Sequence, residues 1–151
     1  MNEEILKLNN QLCFRLYAVS RKMTQLYKPL LEKFNLTYPQ YIIMLVLFEH
    51  EEIDFKKLSD IVDLKTGTIS PIIDKLEKKK LIKKNTNKED ARKLNISITK
   101  EGLRLKEVVI EVPIKLASNL EISEDMYKVL VKELDDLSSI LKKAKIIQDN
   151  K

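Results

Sequence analysis

The chain has 151 residues and a formal net charge of +5, with 44% hydrophobic and 34% charged residues. This balance excludes a disordered chain and favours one soluble domain. Its longest apolar run, residues 41–48, is too short to cross a bilayer, and its first residues lack the apolar stretch of a signal peptide. With Cys13 and His50 as the single residues of their kinds, we expect no disulfide, no metal, no other cofactor and a cytoplasmic location.

The first half of the chain carries helical patterns. Apolar residues recur at spacings of three and four from Ile5 to Leu30, which predicts a long first helix whose last turn is disturbed by Pro29. Thr37 is placed to cap a second helix, with Pro39 in its first turn, and this helix runs through Leu47.

A winged helix-turn-helix is predicted next. Asp54 is expected to cap a short third helix and Thr66 a fourth, so that residues 54–79 form a helix-turn-helix. The LIKK segment at 81–84 and the alternating run at 94–98 are predicted as two strands joined by a charged loop. Two short strands directly after a helix-turn-helix make a wing.

The last third returns to helix. Thr99 and Ser123 are placed as caps, Pro113 is expected to kink the helix between them, and the final helix has one apolar stripe. The fold class is therefore mainly α with a small β-hairpin wing, in a single domain of residues 1–151. The winged part spans about 37–99. Residues 1–35 and 103–151 supply long helices whose apolar faces favour a homodimer over a monomer that folds them back on itself.

Positive charge is concentrated in the predicted winged part. Residues 56–93 contain 12 Lys and Arg against 6 Asp and Glu, a net charge of +6. Such a block indicates binding to a polyanion such as double-stranded DNA, although a lysine-rich solvated surface gives the same count.

The lone thiol lies in a polar stripe of the first helix. The stripe follows spacings of four, three, four and three, through Cys13, Tyr17, Ser20, Thr24 and Tyr27. Hydroxyl groups beside a thiol favour its reactive thiolate, whereas composition alone favours a packing role. Because Cys13 and Tyr27 are roughly 21 Å apart along a straight helix, they cannot touch within one chain.

Several motifs resemble those of MarR-type winged helix-turn-helix repressors. The matching segments are TGTISP at 66–71, KLEKK at 75–79, EDAR at 89–92 and ISITKEG at 96–102. Three residues depart from the pattern: Lys65 where an acidic residue is usual, Lys80 in place of a glycine, and Ala91 where Glu is frequent. These departures bear on the operator sequence more than on DNA binding.

Three further segments are similar to the one-cysteine organic-hydroperoxide sensors of that family, the OhrR type. They are NQLCF at 10–14, YKPLL at 27–31 and LTYPQY at 36–41. The resemblance implies a redox site made of Cys13 with Tyr27 and Tyr38 from the neighbouring chain. It also implies a transcriptional repressor that releases its operator when an organic hydroperoxide oxidises Cys13. The sulfenic acid formed at Cys13 is then capped by a small thiol or a backbone nitrogen, or is oxidised further.

Residue chemistry predicts which side chains face a pseudo-palindromic DNA operator. The free N–H groups of the fourth helix face phosphates, Arg92 enters the minor groove, and Asp90 holds it; a plain surface ion pair is the alternative. The candidate DNA-binding residues are Lys65, Thr66, Thr68, Ser70, Lys75, Asp90 and Arg92.

Three other functions stay open at this point. The first is the same kind of regulator controlled by a non-covalent small aromatic ligand, with Cys13 structural. The second is an enzyme, a thiol peroxidase, which the absence of a second cysteine disfavours; we expect no enzymatic activity. The third is a constitutive DNA-binding protein whose affinity ignores oxidants and ligands alike.

Overall fold

The computed structural model describes residues 3–86, 90 and 93–144, and their contacts divide the chain into two compact units, residues 1–116 and 117–151. Two short 3-10 turns, Glu3–Leu6 and Leu8–Asn10, precede the first α-helix. The α-helices and strands then follow in the order α1 (Leu12–Glu32), α2 (Tyr38–His50), β1 (Glu52–Asp54), α3 (Phe55–Ile61), α4 (Thr66–Lys78), β2 (Ile82–Thr86), β3 (Leu94–Ile98), α5 (Lys100–Val109), α6 (Glu111–Leu120) and α7 (Glu124–Lys143).

The first helix starts later than its apolar spacing predicts. It begins at Leu12 and not near Ile5. Asn10 Nδ2 donates to the Glu4 carbonyl at 2.8 Å, and the Arg15 guanidinium donates to the Asn9 carbonyl at 2.6 and 3.0 Å. Side chains thus occupy carbonyls that a continuous helix would bond through its backbone, and asparagine competes with helix in this way.

The connection between α1 and α2 is tightly built. α1 continues through Pro29 to Glu32, so the proline does not end it. Asn35 then takes a left-handed conformation with φ of 53°. Thr37 is the N-cap of α2, as predicted, and its backbone N–H donates to Gln40 Oε1 at 3.1 Å.

The helix-turn-helix is confirmed, with one correction at its second helix. Asp54 Oδ1 accepts the Lys57 backbone N–H at 3.0 Å and caps α3 as predicted. Lys65, not Thr66, is the N-cap of α4, because its carbonyl already accepts the N–H groups of the following turn and Thr66 is the first helical residue. No side chain caps α4.

The wing contains a strand that the sequence did not reveal. β3 pairs antiparallel with β2, matching Ile82 with Ile98, and also with β1, matching Ile53 with Ile96. The sheet order is therefore β1-β3-β2. Because β1 leads directly into α3, it fastens the wing to the start of the helix-turn-helix.

The core of the winged part lies between α2, α4 and the sheet. Its largest fully buried side chains are all non-aromatic, and they come from α1 to α4, β2, β3 and α6. They are Leu31, Ile43, Met44, Leu47, Leu58, Ile69, Ile73, Leu76, Ile82, Ile96 and Val112. This packing fixes α4 against the sheet and so sets the angle between α4 and the wing.

The helices after the wing begin where expected but are divided. Thr99 caps α5 by accepting the Gly102 N–H at 3.1 Å, as predicted. α5 ends at Val109 and α6 begins at Glu111, so a break stands ahead of Pro113. The break has a direct cause, since Pro113 lacks the N–H that would bond the carbonyl four residues earlier.

The final helix is capped as predicted but buries nothing in this chain. Ser123 Oγ accepts the Met126 N–H at 3.2 Å. None of the residues from Glu124 to Lys143 is buried. Most of its apolar stripe is therefore exposed, and Leu137 is half-buried.

Candidate functional site

Three tyrosines meet where the end of α1 packs against the start of α2. The rings of Tyr27 and Tyr38 lie 4.8 Å apart, centroid to centroid, with a 50° tilt, and Tyr27 is 5.8 Å from Tyr41 with a 42° tilt. Such tilted geometry is favoured by aromatic quadrupoles. Burial, with Tyr38 as a second cause, raises the pKa of Tyr41, so this phenol stays neutral at physiological pH.

The thiol lies far from this cluster within one chain. Cys13 is the second residue of α1 and is exposed. Tyr27 is fourteen residues further along the same helix, roughly 21 Å away at 1.5 Å per residue. The fold therefore brings together two of the three predicted redox residues, Tyr27 and Tyr38, and leaves Cys13 apart from both.

The polar stripe beside Cys13 is only partly available to it. Tyr17, one turn further on, is exposed, and the Arg21 guanidinium carbon lies 5.6 Å from the centre of its ring. The Thr24 hydroxyl is already engaged, because it donates to the helix carbonyls of Ser20 at 3.1 Å and Arg21 at 2.9 Å. The sequence showed the spacing of this stripe but not that a hydroxyl was already engaged.

The start of α4 presents an open polar surface. Lys65, Thr66 and Thr68 are exposed, and no atom lies within 4 Å of the point where Gly67 would carry a Cβ. Ser70 differs from these residues, because it is half-buried and its hydroxyl donates to the Thr66 carbonyl at 2.8 Å. Exposed hydroxyls and free helix N–H groups are suited to anion contact.

An ion-pair network that no sequence pattern indicates connects the middle of α4 to the wing. Lys84 on β2 lies 2.9 Å from Asp74 Oδ1 and 2.8 Å from Glu77 Oε2, and its backbone N–H donates to Glu77 Oε1 at 3.1 Å. These hydrogen bonds lower the pKa of both carboxyls and raise the pKa of Lys84. No local spacing relates a strand lysine to a helix face, so only the fold reveals the contact.

The predicted wing-tip pair falls partly outside the described residues. Asp90 is half-buried, and its carbonyl accepts the Lys93 N–H at 2.9 Å. Arg92 and Ala91 lie outside the described residues. The pairing of Asp90 with Arg92 stays a prediction.

A groove of about 840 Å³ separates the end of α4 from the α1–α2 connection. Tyr38 and Gln40 lie on one wall. The cations that line it are Lys28, Lys75, Lys78 and Lys79. Burial, with the charge of Lys75 as a second cause, lowers the pKa of Lys79. Lys75, predicted as a DNA contact, lines this groove and lies on the same helix as the open polar surface at the start of α4.

Known proteins similar to this chain are regulators of transcription. Residues 25–109 match the family model described as transcriptional regulator SarA/Rot. The organic hydroperoxide resistance transcriptional regulator of Bacillus subtilis is 47% identical over 108 residues, which cover 72% of this chain and 74% of that protein. The HTH-type transcriptional regulator SarZ of Staphylococcus aureus is 35% identical over 117 residues, or 78% of this chain and 79% of SarZ. The chain belongs to the MarR family of transcriptional regulators.

A solved structure extends the match to nearly the whole MarR-type chain. The crystal structure of AbfR of Staphylococcus epidermidis superposes with a TM-score of 0.77 at 32% identity, covering 95% of this chain and 99% of AbfR. AbfR has also been solved in reduced form bound to DNA. The predicted resemblance, the winged fold and the assignment as a DNA-binding transcriptional regulator are confirmed. Along residues 3–86 and 93–144, no helix is long and apolar enough to span a membrane.

Proposed function

We propose that this chain is a homodimeric repressor that binds a pseudo-palindromic DNA operator and releases it when an organic hydroperoxide oxidises Cys13. One observation carries the proposal. Tyr27 and Tyr38 form a contact pair at 4.8 Å, at the opposite end of α1 from an exposed Cys13. Two antiparallel α1 helices would bring each thiol to the tyrosine pair of the partner chain. The printed name of the B. subtilis relative, an organic hydroperoxide resistance regulator, supports the same signal.

The exposed apolar surface supports the dimer. Several large apolar side chains of α7 are more than half exposed, among them Met126, Leu134 and Leu141 at 55%, 54% and 60%. Leu8 and Leu12, just before and at the start of α1, are 57% and 59% exposed. Contiguous apolar stripes on terminal helices are covered in stable proteins, and a symmetric second copy is the commonest cover.

The redox step is a two-electron oxidation of sulfur. The Cys13 thiolate attacks the outer oxygen of the hydroperoxide, a sulfur–oxygen bond forms, and the oxygen–oxygen bond breaks. The alkoxide leaves and takes up a proton to become the alcohol, so the sulfur becomes a sulfenic acid. A small thiol then displaces water from the sulfenic acid and forms a mixed disulfide. The added bulk at Cys13 separates it from the tyrosines. The winged parts of the two chains then no longer match the spacing of the two half-sites of the operator.

The open start of α4 is the proposed recognition surface. Thr66 and Thr68 contact phosphate or base edges, Lys65 adds charge, and Ser70 supports the first turn through its bond to a helix carbonyl. Lys75 contributes a backbone contact further along the helix. Arg92 reaches the minor groove from the wing with Asp90 beside it.

The decisive experiment is an anisotropy titration of DNA from upstream of the coding sequence. The parent protein and Cys13→Ser are each measured reduced, and again after cumene hydroperoxide with a small thiol. We expect oxidation to release the parent and to leave the variant bound. Release of both proteins, or of neither, would refute Cys13 as the sensor. Steady-state peroxide consumption with excess thiol tests the enzyme alternative. After the first equivalent per chain, we expect a rate close to that of the thiol and the peroxide without protein, because Cys13 is regenerated only by slow exchange of the mixed disulfide with the thiol.

The groove beside Tyr38 favours one second candidate, control by a small anionic aromatic ligand. Its size of about 840 Å³ is sufficient for such a ligand, and its lysines would meet a carboxylate. In this case Cys13 has only a structural role. If aromatic acids raise the Tm of Cys13→Ser and also weaken its binding to DNA, control by a ligand is supported over oxidation of Cys13.

A further inference from the structure

Lys79 joins the end of the recognition helix to the segment that carries Tyr38. It is the C-cap residue of α4, and its ammonium donates to Gln40 Oε1 at 2.9 Å and to the carbonyl of Asn35. The two acceptors lie 39 and 44 residues before it in the chain. This is a long-range contact, within residues 1–116, between the DNA-reading helix and the α1–α2 connection.

Gln40 contacts both the end of α4 and the residue that caps α2. Its side chain is 2% exposed, and one amide oxygen accepts both the Lys79 ammonium and the Thr37 N–H, at 2.9 and 3.1 Å. A buried polar atom with two donors has little freedom to move without breaking one bond. Tyr38 lies between Thr37 and Gln40 in the same helical turn.

We propose that Lys79 and Gln40 are positioning residues that transmit the oxidation of Cys13 to the recognition helix. This inference rests on the proposed function. When the partner's oxidised thiol displaces Tyr38 from Tyr27, the first turn of α2 moves and takes the Gln40 amide with it. Because Lys79 is held by that amide, the end of α4 follows, and the helix tilts away from its seat in the major groove.

The neighbouring lysine provides a matched control. Lys78 has the same charge, lies one residue away on α4 and lines the same groove, yet it is exposed and is not a donor to Gln40. Removal of either cation has a similar effect on the long-range attraction to DNA. Only the removal of Lys79 breaks the connection to α2.

The test compares the Kd for operator DNA before and after oxidation in the parent, Lys79→Met, Gln40→Met and Lys78→Met. For the parent and Lys78→Met we expect oxidation to weaken binding by about a hundredfold, a common size for allosteric coupling. In Lys79→Met and Gln40→Met the ratio should fall below about tenfold, with the rate of free-thiol loss unchanged. Gln40→Glu keeps both acceptor bonds and should restore the parent ratio.

The outcomes separate this proposal from the one beneath it. A parent protein that ignores peroxide overturns the thiol mechanism and this inference together. A responsive parent, with either methionine variant keeping the full ratio, overturns the Lys79–Gln40 link alone. Two variants that remove different halves of the same contact keep the test decisive if one of them does not fold.

Discussion

Mixed dimers with Cys13→Ser in one chain and Tyr27→Phe in the other distinguish a site within one chain from a site shared by two. If Cys13 works with Tyr27 of its own chain, the remaining thiol of the mixed dimer has lost its partner. If it works with the tyrosine of the second chain, that thiol still faces an intact Tyr27. The single helix α1 that carries both residues makes the second arrangement the expected one.

The size of the effect follows from the geometry. Fourteen residues of helix separate the two side chains by roughly 21 Å, whereas a hydrogen bond needs roughly 3 Å. A phenol hydroxyl donating to a thiolate contributes about 1.5–3 kcal/mol, as hydrogen bonds to charged groups do. Loss of that donor should slow oxidation by about 10- to 150-fold, since each 1.4 kcal/mol corresponds to a factor of ten. The Tyr27→Phe homodimer should be slow by this factor, and the mixed dimer should react at the parent rate.

The assay follows loss of the free thiol under cumene hydroperoxide by alkylation and intact-mass measurement. Two affinity tags, one on each chain, isolate the mixed dimer from both homodimers. A mixed dimer as slow as the Tyr27→Phe homodimer would refute the shared site. Equal rates for all three proteins would remove Tyr27 from the mechanism altogether.

Three further predictions test packing, pH dependence and DNA contact. Gly102→Ala places a Cβ in steric clash with the Leu81 carbonyl oxygen and the Ile98 side chain. We therefore expect the free energy of unfolding to fall by about 1–3 kcal/mol, and Tm by about 2–4 °C per kcal/mol. Gly67→Ala has open space around the new Cβ and should leave Tm unchanged or slightly raised. Lys84 lowers the pKa of the Asp74 and Glu77 carboxyls, and its own pKa is raised. The loss of stability in Lys84→Met, measured by urea unfolding, should therefore be largest at neutral pH and shrink below about pH 4, where the carboxyls protonate, and above about pH 10.5, where the lysine deprotonates. A loss that does not depend on pH would contradict the ion-pair network. Thr68→Ala should weaken operator binding by about 5- to 150-fold, measured by anisotropy. Ser70→Ala should change it little, because the Ser70 hydroxyl is already bonded to a carbonyl of the helix. A larger effect at Ser70 than at Thr68 would disprove the proposed DNA-binding face of α4.

Local chemistry explains why some elements could be predicted from the sequence. The caps at Asp54, Thr99 and Ser123 each accept an N–H three residues ahead, a bond decided by a few neighbouring residues. The start of α1 shows the limit of this approach. Apolar spacing runs on through two 3-10 turns, where asparagine and arginine side chains bond the carbonyls instead.

Contacts between distant segments account for what the sequence did not show. β1 has only three residues, too few for a visible alternation, and it exists because Ile53 pairs with Ile96. The bond from Lys79 to Gln40 likewise joins residues that no spacing relates. Of the predicted redox trio, the fold brings Tyr27 and Tyr38 into contact, while Cys13 lies exposed near the other end of α1.

The departure at Lys80 illustrates how a sequence can change while a turn is preserved. Lys80 has a left-handed φ of 61°, the conformation that favours the glycine usual at this place. The turn is nevertheless closed by two backbone bonds, from Lys80 N–H to the Glu77 carbonyl at 2.8 Å and from Leu81 N–H to the Leu76 carbonyl at 3.2 Å. These bonds and the burial of Leu81 outweigh a strain of about 1–2 kcal/mol. The substitution therefore keeps the path from α4 into the wing and adds a cation to the basic segment, which alters the attraction to DNA without altering the fold that delivers it.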